Sequence, residues 1–138
     1  SCYMNLSREG KLKMGPLWDF DIAFGNIDYH PQVIGLEGFW VKTSPWFTRL
    51  FEDPAFVSLV KERFAYFYGK SNEILLEINR NAEYLQYAAV ENNNKWGTLY
   101  NYTWPNYEIL GKYQNEVQSM KNWLSRRFEW LNTAISEL

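Results

Sequence analysis

The stretch YQNEVQSMKNWLSRRFEWLNTAI, residues 113–135, decides the fold class. Tyr113, Val117, Met120, Leu124, Phe128, Leu131 and Ile135 recur at spacings of 4, 3, 4, 4, 3 and 4, which places them on one face of an α-helix. Trp123 and Trp130 widen that face. Lys121, Arg126 and Arg127 form the one basic cluster of the chain. Glu116 and Glu129 dilute it, so it reads as a solvated helix face.

Helix signals continue upstream. Ser44-Pro45 opens a short helix with Trp46, Phe47, Leu50 and Phe51 as its stripe. Asp53-Pro54 is an N-cap followed by proline at the first helical position. It opens a second helix, carrying Phe56, Leu59, Val60, Phe64 and Phe67, that stops at Gly69. Ser71 begins a third, with Ile74, Leu75, Ile78, Ala82, Leu85 and Ala89, expected to end in Asn92-Asn93-Asn94. A loop rich in Trp, Tyr and Asn follows from Lys95 to Pro105.

The N-terminal third reads differently. Two short apolar runs, residues 2–6 and 11–18, flank Ser7-Arg8-Glu9-Gly10 and predict a β-hairpin. Pro16 would end its second ladder, having no backbone N–H to donate. Residues 22–44, punctuated by Gly25, Pro31, Gly35 and Gly38, show no sustained period and read as a long irregular segment. Segments of that kind run beside an active site or pack on a neighbour. The expected fold is therefore α+β and mostly α-helical: a short N-terminal hairpin (1–18), a turn and irregular loop (19–44), and a four-helix-type C-terminal subdomain (45–138).

Composition excludes several functions. The chain has 138 residues, 46% of them hydrophobic and 22% charged, which is ordinary for one globular domain. A net charge of -2 argues against a nucleic-acid binder. A single cysteine, Cys2, rules out an internal disulfide and a cysteine-based zinc cage. No apolar run approaches the roughly 18 residues of a membrane span. Aromatic residues make up 19% of the chain, and most are expected in a core or domain interface. With Ser1 in place of an initiating Met, the chain is expected to be a piece of a longer protein.

Asp19 and Asp21 are the candidate chemistry. In an extended segment they share one side with Phe20 on the other, whereas on a helix they diverge by about 200°. The hairpin just before them favours extension. Two convergent carboxylates suit Mg²⁺, which takes one or two of them and completes its shell with waters and phosphate oxygens. Trp18 and Phe20 would anchor such a turn in apolar core. The alternative reading has Asp19 capping a turn and Asp21 solvated.

The longer string Lys13-Met14-Gly15-Pro16-Leu17-Trp18-Asp19-Phe20-Asp21, closed by Phe24-Gly25-Asn26, resembles the metal-binding segment of the spore-coat-H (CotH) kinase family. That family carries a Trp-Asp-x-Asp core with a proline just before it and an aromatic-Gly pair just after it. Lys121-Asn122-Trp123-Leu124, Arg127 and Glu129-Trp130-Leu131 resemble its closing helix, so the likeness spans nearly the whole chain. The resemblance implies an atypical protein-kinase-like fold that transfers phosphate from ATP, with Mg²⁺ or Mn²⁺, to Ser or Thr hydroxyls of a partner protein. It makes Asp19 the leading metal and nucleotide-phosphate ligand and Asp21 a second one, the role of the Asp-Phe-Gly segment in ordinary kinases. It also places the phosphate-covering loop, the phosphate-holding Lys and the acceptor-orienting Asp upstream of the Trp-Asp-x-Asp segment. Residues 1–17 contain nothing like a Gly-rich phosphate loop, so no catalytic residue is assigned. The chain is expected to be the inactive C-terminal part of such a domain, with the missing N-terminal part as its first partner.

An apolar surface should then remain around the hairpin and the 22–40 loop, a surface through which the isolated chain could also dimerise. By the same resemblance the location is a bacterial spore coat, a cell surface or the secreted fraction. Two other functions are open on the residues alone. One is a non-catalytic surface or coat interaction domain. The other is a carbohydrate-binding module built on the aromatic run from Trp96 to Tyr107, although burial of those rings against the helices is the expected arrangement. His30, before Pro31, reads as a turn residue, and Asp28 as a surface carboxylate near the Asp19–Asp21 turn.

Overall fold

The structure is a computed structural model that describes residues 3–138, apart from the side chain of Asp21. Cys2, and with it the start of the first apolar run, lies outside the described residues. Strands β1 (Met4–Asn5) and β2 (Lys13–Met14) pair antiparallel, Met4 opposite Met14 and Asn5 opposite Lys13. The Gly15 amide extends the ladder by donating to the Tyr3 carbonyl at 2.9 Å. The turn between the strands closes with the Gly10 amide on the Ser7 carbonyl at 3.0 Å.

After the hairpin come a single 3-10 turn at Asp21–Phe24, a one-turn helix α1 (Pro31–Ile34) and a second 3-10 turn at Trp40–Thr43. The segment read as irregular is thus punctuated by three short turns. Helices α2 (Pro45–Leu50), α3 (Pro54–Gly69), α4 (Ser71–Trp96) and α5 (Tyr113–Ser136) complete the chain. It is an α+β fold, mostly α-helical.

Local chemistry explains the helix ends. Asp53 caps α3, its carboxylate accepting from the Ala55 amide at 2.8 Å, and Pro54 follows at the first helical position, where no N–H is needed. Asp53→Ala is expected to cost about 1 kcal/mol, read as a lower urea midpoint at unchanged m-value. Helix α4 runs past Asn92-Asn93-Asn94 to Trp96. Its end is set by Gly97, whose amide donates to the Asn93 carbonyl at 2.7 Å, while the Asn93 side chain accepts from the Leu99 amide at 3.0 Å. Asn93 therefore serves the cap from inside the helix.

Helix α5 is the centre of the helical part, with α3 and α4 packed on it. All seven residues of its predicted stripe are at least partly shielded, and Ile135 is buried. Phe128 meets Phe64 of α3 edge-on at 6.3 Å. Polar ties hold the same seams: Lys121 Nζ donates to Asn79 Oδ1 at 2.6 Å, and Lys61 Nζ to the Ser136 carbonyl at 3.0 Å. The edge-to-face series Phe39–Phe51–Phe56, at 5.5 and 5.3 Å, joins the second 3-10 turn to α2 and α3.

Little of the apolar surface is fully covered. Among the described residues only Ile27 and Ile135 are buried apolar side chains. The accessible surface is 10675 Å², against about 7,500 Å² expected for a compact monomer of this length. Tyr3, Met4, Leu6, Leu12, Met14 and Leu17 of the hairpin region are all exposed. No helix among the described residues is long and apolar enough to cross a membrane.

Candidate functional site

The acidic turn lies where the hairpin meets the helical part. Its backbone is not extended. Asp19 has φ 65°, in the left-handed region that L-residues avoid and Asp tolerates better than most. Phe20 follows at φ -97°, ψ 12°, and Asp21 is the first residue of the 3-10 turn. Strict alternation of the two carboxylates, expected from an extended segment, is thereby overturned: the chain turns at Asp19 and begins to coil at Asp21. The side chain of Asp21 lies outside the described residues. The Asp19 carboxylate is exposed and makes no hydrogen bond or ion pair among the described residues.

Two aromatic contacts bracket the turn. Upstream, Trp18 meets Tyr3 edge-on at 6.4 Å, and Trp18 is still 58% exposed. Phe20 is also half exposed, so neither ring sits in apolar core as the sequence suggested. Downstream the contact is closer. Gly25 is buried, with φ 83°, and ends the 3-10 turn directly against the indole of Trp123 on α5. A Cβ built on Gly25 would lie 2.3 Å from Trp123 Nε1. Phe24 meets the same indole edge-on at 6.0 Å.

Helix α5 also anchors the loop beyond. Trp123 Nε1 donates to the Ile34 carbonyl at 3.2 Å. The Arg127 guanidinium donates to the Leu36 carbonyl and, at 2.6 Å, to that of Gly38, while its central carbon lies 4.9 Å from the centroid of the Trp130 ring. Burial pulls the Arg127 guanidinium below its ordinary value. The basic cluster is accordingly not a solvated face. Arg127 holds loop carbonyls, Lys121 holds Asn79, and Arg126 stays exposed.

The late aromatic loop docks on the segment following the turn. Asn26 Oδ1 accepts from the Tyr107 and Glu108 amides at 2.8 and 2.9 Å, and the Asp28 amide donates to the Pro105 carbonyl at 2.9 Å. The Tyr102 hydroxyl donates to Asp28 Oδ2, a bond that raises the Tyr102 pKa above its usual value. Asp28 is thus a latch for this loop. The rings of the loop are not buried against the helices: Trp96, Tyr100, Tyr102, Trp104 and Tyr107 are exposed. Trp104 stacks on Tyr29 at 5.7 Å and 24° between planes.

Between the 24–40 loop and α5 lies an open groove of about 1170 Å³. Several of its polar side chains hold loops: Asn26 as above, Glu116 accepting from the Leu110 amide at 2.8 Å, and Glu108 accepting from the Ser119 hydroxyl at 3.3 Å. Asp19 is not part of it. Among the described residues no cluster of three or more His, Cys, Asp or Glu side chains could enclose a metal ion.

These features define a class: a mostly helical α+β domain whose acidic turn is clamped between a hairpin and the closing helix. The family model described as CotH kinase protein matches residues 1–131, essentially the whole chain, and the chain belongs to the CotH kinase family. Membership makes it an atypical kinase-like domain. Neither the curated proteins nor the solved structures gave a match.

Proposed function

We propose that this chain is the metal-binding, C-terminal portion of a CotH-type kinase domain, which transfers the γ-phosphate of ATP to Ser or Thr hydroxyls of a partner protein. Asp19 is the leading ligand for Mg²⁺ or Mn²⁺ in this reading, and Asp21 the second. The observation that carries it is the exposed Asp19 carboxylate on a left-handed turn, inside the family's own segment. A non-glycine residue held there costs on the order of 1–2 kcal/mol, and such residues gather at functional sites.

The donor chemistry fits a hard divalent cation, since a carboxylate oxygen is the ligand Mg²⁺ prefers. Waters and phosphate oxygens would supply the rest of the shell, as Mg²⁺ commonly accepts. When bound, the ion would supply charge neutralisation at the transferring phosphate. The protein's own part is to present Asp19 on its turn, held from the downstream side by the contacts of Phe24 and Gly25 with Trp123.

The accessible surface supports completion by another body. Its excess over a compact monomer is about 3,000 Å², several times the roughly 800 Å² that one partner loses in a standard interface. An isolated two-stranded hairpin is marginal in water, and this one carries exposed apolar side chains. The proposed partner is the N-terminal part of the same kinase domain, supplying the phosphate-covering loop and the acceptor-orienting Asp. A spore-coat or surface location follows the family and is proposed on that ground.

The test is transfer of labelled γ-phosphate by the full-length protein, with and without Mg²⁺ or Mn²⁺. Metal-dependent labelling of itself or of a coat protein is the expected result. No transfer together with no ATP binding would leave a non-catalytic interaction domain.

A further inference from the structure

We propose that Trp123 is the positioning residue of the acidic turn, the group through which α5 sets the turn's metal affinity; this rests on the metal-binding reading above. The 3-10 turn that begins at Asp21 ends at Phe24, only about 6 Å along its axis at the usual rise of about 2 Å per residue. So short a turn moves as one piece, and its far end is fixed. The Phe24 ring and the Gly25 backbone both rest on the Trp123 indole. The indole is in turn fixed by its Nε1–H bond to the Ile34 carbonyl. The upstream side offers no comparable hold, because the Tyr3–Trp18 contact lies between two exposed rings. On this proposal, displacement of the indole shifts the backbone of Asp21 and, through Phe20, that of Asp19. Trp123 acts on the metal through the turn and not by direct contact with it.

Binding of Mn²⁺ to the full-length protein, followed by the paramagnetic resonance of the free ion, separates this role from a purely structural one. Trp123→Leu is expected to weaken Mn²⁺ binding by about tenfold or more, the scale on which groups orienting a metal ligand act. Trp123→Phe, which keeps a ring under Gly25 but loses the N–H donor, should weaken it by about two- to threefold. In phosphate transfer, the Mn²⁺ concentration at half-maximal rate should rise by the same factors, while the rate at saturating Mn²⁺ stays within about threefold of wild type. Unchanged Mn²⁺ affinity in a folded Trp123→Leu protein overturns the proposal. Should that variant not fold, unchanged affinity in Trp123→Phe overturns it equally. Asp19→Asn tells the two readings apart: if it leaves Mn²⁺ binding intact, or if the wild type binds no Mn²⁺, the metal reading fails and takes this one with it. Binding lost in Asp19→Asn but kept in both Trp123 variants overturns the positioning role alone.

Discussion

Replacing Asp19 by Asn in the full-length protein is expected to lower metal-dependent phosphate transfer by about a hundredfold or more, with the fold intact. A hundredfold loss corresponds to about 2.7 kcal/mol of transition-state stabilisation. Asn is close to Asp in size and shares its tolerance of the left-handed region, so the backbone at φ 65° is preserved. What disappears is the negative oxygen that a hard cation requires. Alanine would confound the two effects, because it adds left-handed strain to the loss of charge. Glycine makes the complementary test. Asp19→Gly removes the left-handed penalty and should leave the unfolding midpoint unchanged or slightly raised, the relief offsetting glycine's greater unfolded-state entropy. It should still abolish transfer. A variant that is as stable as wild type yet inactive would show that the turn holds Asp for chemistry and not for folding. Wild-type transfer by Asp19→Asn would overturn the assignment, and the same assay on Asp21→Asn ranks the two carboxylates.

The helices were legible because their signals are local. The stripe of α5 repeats at helical spacing over its whole length, and Asp53-Pro54 and Gly69 mark the ends of α3 with residues whose backbone preferences are strong. The end of α4 was misplaced because an asparagine cluster and a left-handed glycine are both stop signals, and only the hydrogen bonds to Asn93 show which one acts. The acidic turn was legible as a motif but not as a conformation. A left-handed Asp leaves no mark in composition, and the preceding hairpin argued for the wrong backbone. Trp123 and Arg127 were the largest omission. They read as an apolar stripe and a basic face, yet their partners are the backbone carbonyls of Ile34, Leu36 and Gly38, about ninety residues away. Every residue carries a carbonyl, so such a partner has no sequence signature. The one available signal was the indole N–H itself, a donor on a helix face that must find an acceptor when shielded.

That contact makes Gly25 a position where a very small substitution should do large damage to stability. Gly25→Ala is expected to destabilise the protein by about 2–5 kcal/mol: about 1–2 from placing an L-residue at φ 83°, and about 1–3 from forcing a methyl group toward the indole of Trp123. In a protein with so few buried side chains that is a large fraction of a typical total stability. The neighbouring scale is set by Gly69 at the end of α3, where φ is ordinary and nothing lies within 4 Å of an added Cβ. Gly69→Ala should be neutral or stabilising by up to about 1 kcal/mol through the unfolded chain alone. The steric share of the Gly25 effect can be isolated by combining it with Trp123→Leu. The double variant should be less destabilised than the sum of the singles by about 1–3 kcal/mol, because the ring that the methyl group strikes is gone while the backbone strain remains. Strict additivity, or a Gly25→Ala midpoint no lower than that of Gly69→Ala, would mean that the turn does not rest on α5, and the route from the closing helix to Asp19 would have to be drawn elsewhere.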